Sequence, residues 1–282
     1  MTTLVTGSRG KVGSALLSLL HERGASVRAA SAAPDKLAAL PDGLEPVRLA
    51  LDDPSSFPAA LEAVDSVFLY AEPSHIDAFV DAAHTAGVSH IVLLSSSSVL
   101  GADAATDPVA GPHLAVEEAL AAGPVATTVL RPGAFAGNAL QWARALRTTG
   151  VIDLPYPGSY GDPIHERDVA EAALAVLTDP GPRGRAYHLT GPESLTFAEQ
   201  IAILERAAGR AAPIEIRAVT PEQWQESVSA YLPPAFAGAL LDYWASTDGS
   251  PAPLTRTVEE LTGRPARTFA EWAEEHADAF RV

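Results

Sequence analysis

Leu4-Val5-Thr6-Gly7-Ser8-Arg9-Gly10-Lys11-Val12-Gly13 sets the architecture of this chain. A short apolar strand runs straight into Gly7-x-x-Gly10-x-x-Gly13, and a helical pattern from Ser14 to Glu22 follows. Strand, glycine turn and helix in that order are the context in which a glycine triplet holds a dinucleotide pyrophosphate. The first glycine makes the tight turn. The second lets backbone N–H groups approach phosphate. The third lets helix pack closely on strand, with the positive helix N-terminus facing the anion. The chain has 21 glycines, so a triplet alone is a weak signal and an ordinary glycine-rich turn is the competing reading. The flanking strand and helix favour dinucleotide binding.

Beyond that run, apolar segments alternate with helical patterns. Strands are predicted at Thr3–Thr6, Ser26–Ala30, Glu45–Ala50, Ser66–Tyr70, His90–Ser95 and Ala126–Arg131. Helices are predicted near 11–22, 34–40, 55–62, 74–86, 112–122 and 136–148. Alternation with short loops predicts an α/β chain with a Rossmann-type, doubly wound parallel sheet. The second half changes character. Pro and Gly cluster at 155–158 and 180–184. Thr196-x-x-Glu199, Thr257-x-x-Glu260 and Thr268-x-x-Glu271 read as capping boxes, and Thr220-Pro221-x-Gln223 as another helix start. Residues 166–178 read as a further sheet-covering helix and Ala186–Leu189 as a returning strand. The predicted division is a nucleotide-binding domain over 1–150 with about 166–190. A small, mostly helical lobe takes 151–165 and 191–282.

Composition narrows the function classes. Apolar residues make up 47 % of 282, enough for a sizeable core. The formal net charge of −16 argues against nucleic acid or an anionic membrane as partner. There is no Cys, so no disulfide or thiolate chemistry arises, and the eight His show no tight ligand spacing, so no metal is expected. No leader-like start or apolar run near the roughly 18 residues of a membrane span is visible. These features predict a cytoplasmic protein, monomer or homodimer, acting on a small molecule.

Several landmarks carry a family resemblance: Thr6-Gly-Ser-Arg-Gly-Lys-Val-Gly13, Val92-Leu-Leu-Ser-Ser96, Leu130-Arg-Pro-Gly-Ala-Phe135 with Asn138, Ile164-His-Glu-Arg-Asp-Val-Ala170, Tyr187-His-Leu-Thr-Gly-Pro192 and Leu261–Phe269. In order and over nearly the whole chain, they resemble the NmrA-like branch of the atypical short-chain dehydrogenase/reductase superfamily. The resemblance implies a sheet of about seven parallel strands and a C-terminal lobe, with substrate in the cleft between. It also implies NAD(P) binding, while members differ in reaction and some sense the cofactor without turnover.

A ribose 2′-hydroxyl is usually held by an acid about 20 residues after the glycines, and a 2′-phosphate by cations. Val27-Arg-Ala-Ala30 is followed by Ser31-Ala32-Ala33, with no acid. Arg9 sits where similar NADP-dependent reductases carry a basic residue. NADP(H) is therefore favoured over NAD(H), with Ser31 offering a hydroxyl and Lys36 within reach of the loop. Gly7, Ser8, Arg9, Gly10, Lys11, Val12 and Gly13 form the predicted cradle. The resemblance places Asp52 near the adenine, against the alternative of a cap before Pro54. Tyr70 and Ala71 end the fourth strand on the ribose and nicotinamide side. Ser95, Pro132, Gly133 and Phe135 are expected around the nicotinamide.

The Tyr-x-x-x-Lys pair of mainstream short-chain dehydrogenases is absent: the chain's lysines are Lys11 and Lys36, and neither follows a Tyr at that spacing. His113-Leu-Ala-Val-Glu117 stands in its place. The i, i+4 spacing puts both side chains on one helix face, where a carboxylate raises an imidazole pKa. His113, supported by Glu117, is the candidate proton donor; a surface pair near a helix start is the other reading. The candidate substrate pocket comprises Ser96, Asn138, Trp142, Tyr156, His165, Trp224 and Tyr231. For Ser96 a strand-end cap, and for each aromatic a place in the core, is the alternative. The expected activity is NADPH-dependent hydride reduction of a carbonyl, quinone, enone or imine. A regulatory NADP(H) sensor and a cofactor-retaining isomerase or epimerase are the competing classes.

Overall fold

The computed structural model describes residues 1–37, 40, 44–179, 181 and 183–281. In chain order its elements are β1 (Thr2–Val5), α1 (Lys11–Glu22), β2 (Ser26–Ser31), β3 (Glu45–Arg48), α2 (Phe57–Leu61), β4 (Ser66–Tyr70), α3 (Ile76–Thr85), β5 (His90–Leu94), α4 (Ala110–Ala122), β6 (Ala126–Pro132) and α5 (Leu140–Thr149). There follow β7 (Val151–Leu154), β8 (Tyr160–Gly161), α6 (Glu166–Thr178), β9 (Ala186–Leu189), β10 (Leu195–Thr196), α7 (Phe197–Ala208), β11 (Glu215–Ala218), α8 (Pro221–Val228), α9 (Pro234–Thr247), α10 (Thr257–Thr262) and α11 (Phe269–Glu275). They group into two compact units. The first holds Met1–Pro132, Glu166–Leu189 and Thr257–Arg264, and the second Gly133–His165, Thr190–Arg256 and Pro265–Val282.

Among the described residues, the first unit is built on a seven-stranded sheet of order β3-β2-β1-β4-β5-β6-β9, parallel throughout. Chain order runs outward from β1 to β2 and β3, then crosses to β4 and proceeds the other way. The reversal lies between β1 and β4, the place where doubly wound sheets bind ligands beyond their carboxyl ends. Parallel strands covered on both faces must be apolar throughout. Leu4, Val5, Val67, Phe68, Ile91, Val92 and Leu93 accordingly have almost no exposure. Pro46 lies in the edge strand β3, where a missing N–H is tolerated. On one face Phe57 meets Phe79 edge to face, with ring centroids 5.3 Å apart. α10, though late in the chain, belongs to this unit, and Arg264 just beyond it donates to Glu171 of α6 over 2.8 Å.

The second unit has two cores. One gathers Trp142, Leu146, Ile152, Leu204, Phe269, Trp272 and Phe280. The other is an aromatic and aliphatic cluster of Trp224, Val228, Leu241 and Trp244. Thr196, Thr220 and Thr268 form the predicted capping boxes with Glu199, Gln223 and Glu271. Thr257 differs: it is the first helical residue of α10 rather than the residue before it. The helical pattern at 34–40 gives only a 3-10 turn over Pro34–Lys36, and residues 38 and 39 of that prediction lie outside the described residues. Two small sheets, β11 with β7 and β10 with β8, were not expected. They are two to four residues long, too short for alternation to stand out.

Ala63, in the exposed turn between α2 and β4, is held at φ 55°, where a Cβ is strained. Ala63→Gly removes roughly 1 kcal/mol of strain, partly offset by the looser unfolded chain. Urea unfolding should give an unchanged or raised midpoint. A clearly lowered midpoint would refute the strain.

Candidate active site

The glycine run folds through its own backbone. Thr6 N–H donates to Phe68 O over 2.9 Å, and the Thr6 hydroxyl accepts from Tyr70 N–H at 2.9 Å, tying the end of β1 to the end of β4. Gly7 then takes φ +61°, which turns the chain, and Gly10 N–H closes the turn on Gly7 O at 2.8 Å. The Ser8 hydroxyl donates back to Val5 O at 2.8 Å. A Cβ on Gly13 would lie 2.4 Å from Gly7 O, closer than any side chain is tolerated. α1 therefore starts hard against the loop, with Val12 and Gly13 buried in its first turn. No side chain caps that turn and no acid lies in it, so its N–H groups and dipole are available to an anion. Such a bare cradle fits a pyrophosphate. Lys11 points elsewhere: its Nζ lies 3.3 Å from Glu166 of α6.

Tyr70 packs beside this loop, its ring 3.2 Å from where a Gly7 Cβ would stand. Burial first, then the charges of Glu72 and Asp52, push the phenol pKa up, and the Arg9 cation opposes them. Gly7, Arg9, Asp52 and Tyr70 thus converge on one place beyond the carboxyl ends of β1 and β4. Asp53, rather than Asp52, is the cap before Pro54, accepting from Ser55 N–H at 3.1 Å while Arg48 holds its other oxygen at 2.9 Å. Asp52 is left exposed. Ser31, at the end of β2, accepts from Ala33 N–H at 3.1 Å, which leaves its hydroxyl proton to donate.

Glu117 departs from expectation. Its carboxylate receives Arg131 through two bonds, Nε to Oε1 at 3.1 Å and Nη2 to Oε2 at 2.5 Å, and the Ser95 hydroxyl at 2.5 Å. This buried network ties α4 to the ends of β5 and β6. Saturated in this way, Glu117 does not hydrogen-bond His113, whose Nδ1 is buried and finds no partner among the described residues. Burial lowers the His113 pKa, and the Glu117 charge only partly offsets it. The expected raised pKa is corrected to a lowered one, because desolvation outweighs a carboxylate already neutralised by Arg131. Ser96 caps the 3-10 turn Ser97–Leu100, accepting from Ser98 N–H at 3.2 Å. Ala71 directly follows β4, and Pro132 ends β6, both in this unit.

In the second unit, Gly133 packs under a carboxylate: a Cβ there would lie 2.0 Å from Asp162 Oδ2. Asp162 Oδ1 accepts from Ala134 N–H at 3.1 Å. Phe135 bridges to Ile164, and Asn138 is exposed in the 3-10 turn Ala136–Ala139. Trp142 and Trp224 lie in hydrophobic cores, the alternative reading for each aromatic. Trp142, Phe197, Trp244 and Trp224 form an edge-to-face row with successive centroids 5.7, 5.4 and 4.8 Å apart. Tyr156 packs against the same cluster. Tyr231 lies on the surface under the Arg144 guanidinium, 5.5 Å from its ring centre. His165 is buried and its Nε2 lies 3.3 Å from Glu275, so it anchors the C-terminal helix. Sequence reading missed the Arg131–Glu117 pair, for which an arginine inside an apolar strand was the available signal.

The NAD(P)H-binding family model matches residues 7–180. A (4-alkanoyl-5-oxo-2,5-dihydrofuran-3-yl)methyl phosphate reductase of Streptomyces griseus is 37 % identical over 98 % of each chain. An NAD(P)H azoreductase of Xenophilus azovorans is 36 % identical, also over 98 % of each. Among solved structures, an NADPH-dependent quinone oxidoreductase of Escherichia coli superposes with a TM-score of 0.81 at 25 % identity, over 97 % of this chain and 99 % of that one.

Removing Glu117 strands a half-buried guanidinium. Glu117→Ala should cost about 3 kcal/mol of stability, and His113→Ala less than about 1 kcal/mol, in denaturant unfolding. Equal losses for the two would contradict the Arg131–Glu117 assignment.

Proposed function

This chain belongs to the NAD(P)H-binding family, in its atypical short-chain dehydrogenase/reductase branch, and on that premise we propose that it is an NADPH-dependent reductase of a small organic electrophile. The observation that carries the proposal is the Gly13–Gly7 contact, which leaves a bare helix N-terminus facing the switch point of the sheet. When bound, the dihydronicotinamide supplies a hydride; the protein supplies binding, orientation and exclusion of water. Gly7 to Gly13 hold the pyrophosphate by backbone N–H groups. Asp52 borders the adenine, and Tyr70 the ribose and nicotinamide side. Arg9, with the Ser31 hydroxyl, receives the 2′-phosphate, since no acid follows β2 to claim a 2′-hydroxyl. Ser95, Glu117 and Arg131 stiffen the carboxyl edge of β5 and β6. His113, neutral near pH 7 because burial lowers its pKa, serves as a hydrogen-bond donor to substrate rather than as a charged acid.

The second unit is the substrate lobe in this reading, with Gly133, Phe135 and Asn138 nearest to the acceptor. The similar proteins act on a dihydrofuran-bearing phosphate, azo compounds and quinones by their names, which supports reduction and leaves the acceptor here open among carbonyl, quinone, enone and imine.

Arg9→Ala should raise the KM for NADPH by about tenfold or more, the worth of one charge-assisted phosphate contact. The KM for NADH should change less than about twofold. Equal use of both cofactors, untouched by the substitution, would remove the NADPH assignment. NADPH bound tightly but consumed with no member of a panel of quinones, enones, ketones and cyclic imines would replace the reductase reading with a sensor.

A further inference from the structure

His90 has no part in the reduction proposed above, yet it is a titratable group set inside the sheet. It is the first residue of β5, with β4 on one side and β6 on the other, and it is fully buried. Its register partners are Ser66 of β4 and Ala126 of β6. Nε2 lies 2.9 Å from the Thr128 hydroxyl of β6. Nδ1 is buried and finds no hydrogen-bond partner among the described residues. A buried N–H without an acceptor costs more than a bare lone pair. The ring proton therefore sits on Nε2, is donated to Thr128 Oγ1, and the neutral imidazole is the form that fits. A second proton would have to go to Nδ1, where the new N–H meets no acceptor and the new charge no counterion. Burial disfavours the charged ring, and the Arg183 cation ahead of β9 adds to it, so the pKa falls to about 4. No carboxylate among the described residues acts on the ring. Asp65, the acid next to Ser66, accepts from Thr2 N–H and faces the Met1 amino group instead.

We propose that His90 is an acid-sensitive latch in the first unit. Neutral, it joins β5 to β6 through Thr128; acid favours a state in which the two strands have parted and the ring takes its proton in water. The latch is independent of the reductase reading. At the other ends of the same strands Ser95 and Arg131 meet Glu117, so parting β5 from β6 also breaks up that network. Linkage sets the direction. The opened chain binds the proton near the ordinary imidazole value of 6.5, the folded chain only near about 4. The contribution is therefore complete above about pH 7 and is lost as the pH falls from about 6.5 to about 4, by up to about tenfold in the folding equilibrium constant per pH unit. Burial lowers His113 and His188 as well, while it raises Asp162, which acts with the opposite sign. Comparison with a variant at position 90 cancels these groups.

His90→Gln keeps an Nε2 donor for Thr128 and cannot take a proton. Urea unfolding of the full chain is measured for the wild type and for His90→Gln at several values between about pH 7.5 and about pH 4.5. Over that range the wild type should lose about fiftyfold in its folding equilibrium constant relative to the variant. A relative change of less than about threefold would overturn the latch. If His90→Gln does not fold, the wild type decides. Nitrogen NMR of the native protein should show the His90 ring neutral, with its proton on Nε2, down to about pH 5. A His90 ring that takes up its second proton near the ordinary imidazole value while the chain stays folded, or that carries its proton on Nδ1, would overturn the proposal.

Discussion

The missing Cβ at position 13 is the constraint from which the rest follows. It lets α1 begin in contact with the carbonyl of Gly7, and α1 then packs along α6 with Lys11 reaching Glu166. Any side chain there would push the helix away from the loop, since its Cβ would lie 2.4 Å from Gly7 O. The first turn would no longer face the gap between β1 and β4, and its N–H groups would lose their aim. One steric contact thus couples the packing of two helices to the placement of an anion site.

The carboxyl edge of β5 and β6 is organised by a different force. Arg131 lies within an apolar strand, and burying it is tolerable only because Glu117 meets it with two bonds and Ser95 fills a further lone pair. That satisfaction removes Glu117 from His113. A helix-face spacing of four was read as a functional pair, yet the carboxylate turned to the sheet, where the stronger partner lay. In the second unit burial raises the pKa of the Asp162 carboxyl, and the backbone N–H groups that it accepts from only partly offset this.

The β-strands and long helices of the first unit were legible because their signals are local, apolar runs for doubly covered strands and glycine for the turn, and in the second unit Thr-x-x-Glu and Thr-Pro-x-Gln marked helix starts. Ser66–Tyr70, Lys11–Glu22 and Ala186–Leu189 match their predicted spans. The glycine cradle was legible for the same reason, since its geometry is made by neighbours in sequence. The burial of Asp162 was not, because what it packs against is Gly133, 29 positions earlier. Trp142 and Trp224 were ambiguous because an indole wall and an indole core have the same composition. Only the ring row through Phe197 and Trp244 separates them.

The two compact units are threaded through one another: the chain passes between them five times, at 132/133, 165/166, 189/190, 256/257 and 264/265. α10 is a late return that restores Arg264 to Glu171 in the first unit before the chain leaves again. Neither unit is therefore a cassette. Recombination at a single junction cannot transplant the second unit onto another first unit, and a nascent chain released before Arg264 lacks part of its first unit. Diversification of such a protein is confined to point changes and loop insertions, so new acceptors must be won residue by residue on an unchanged thread.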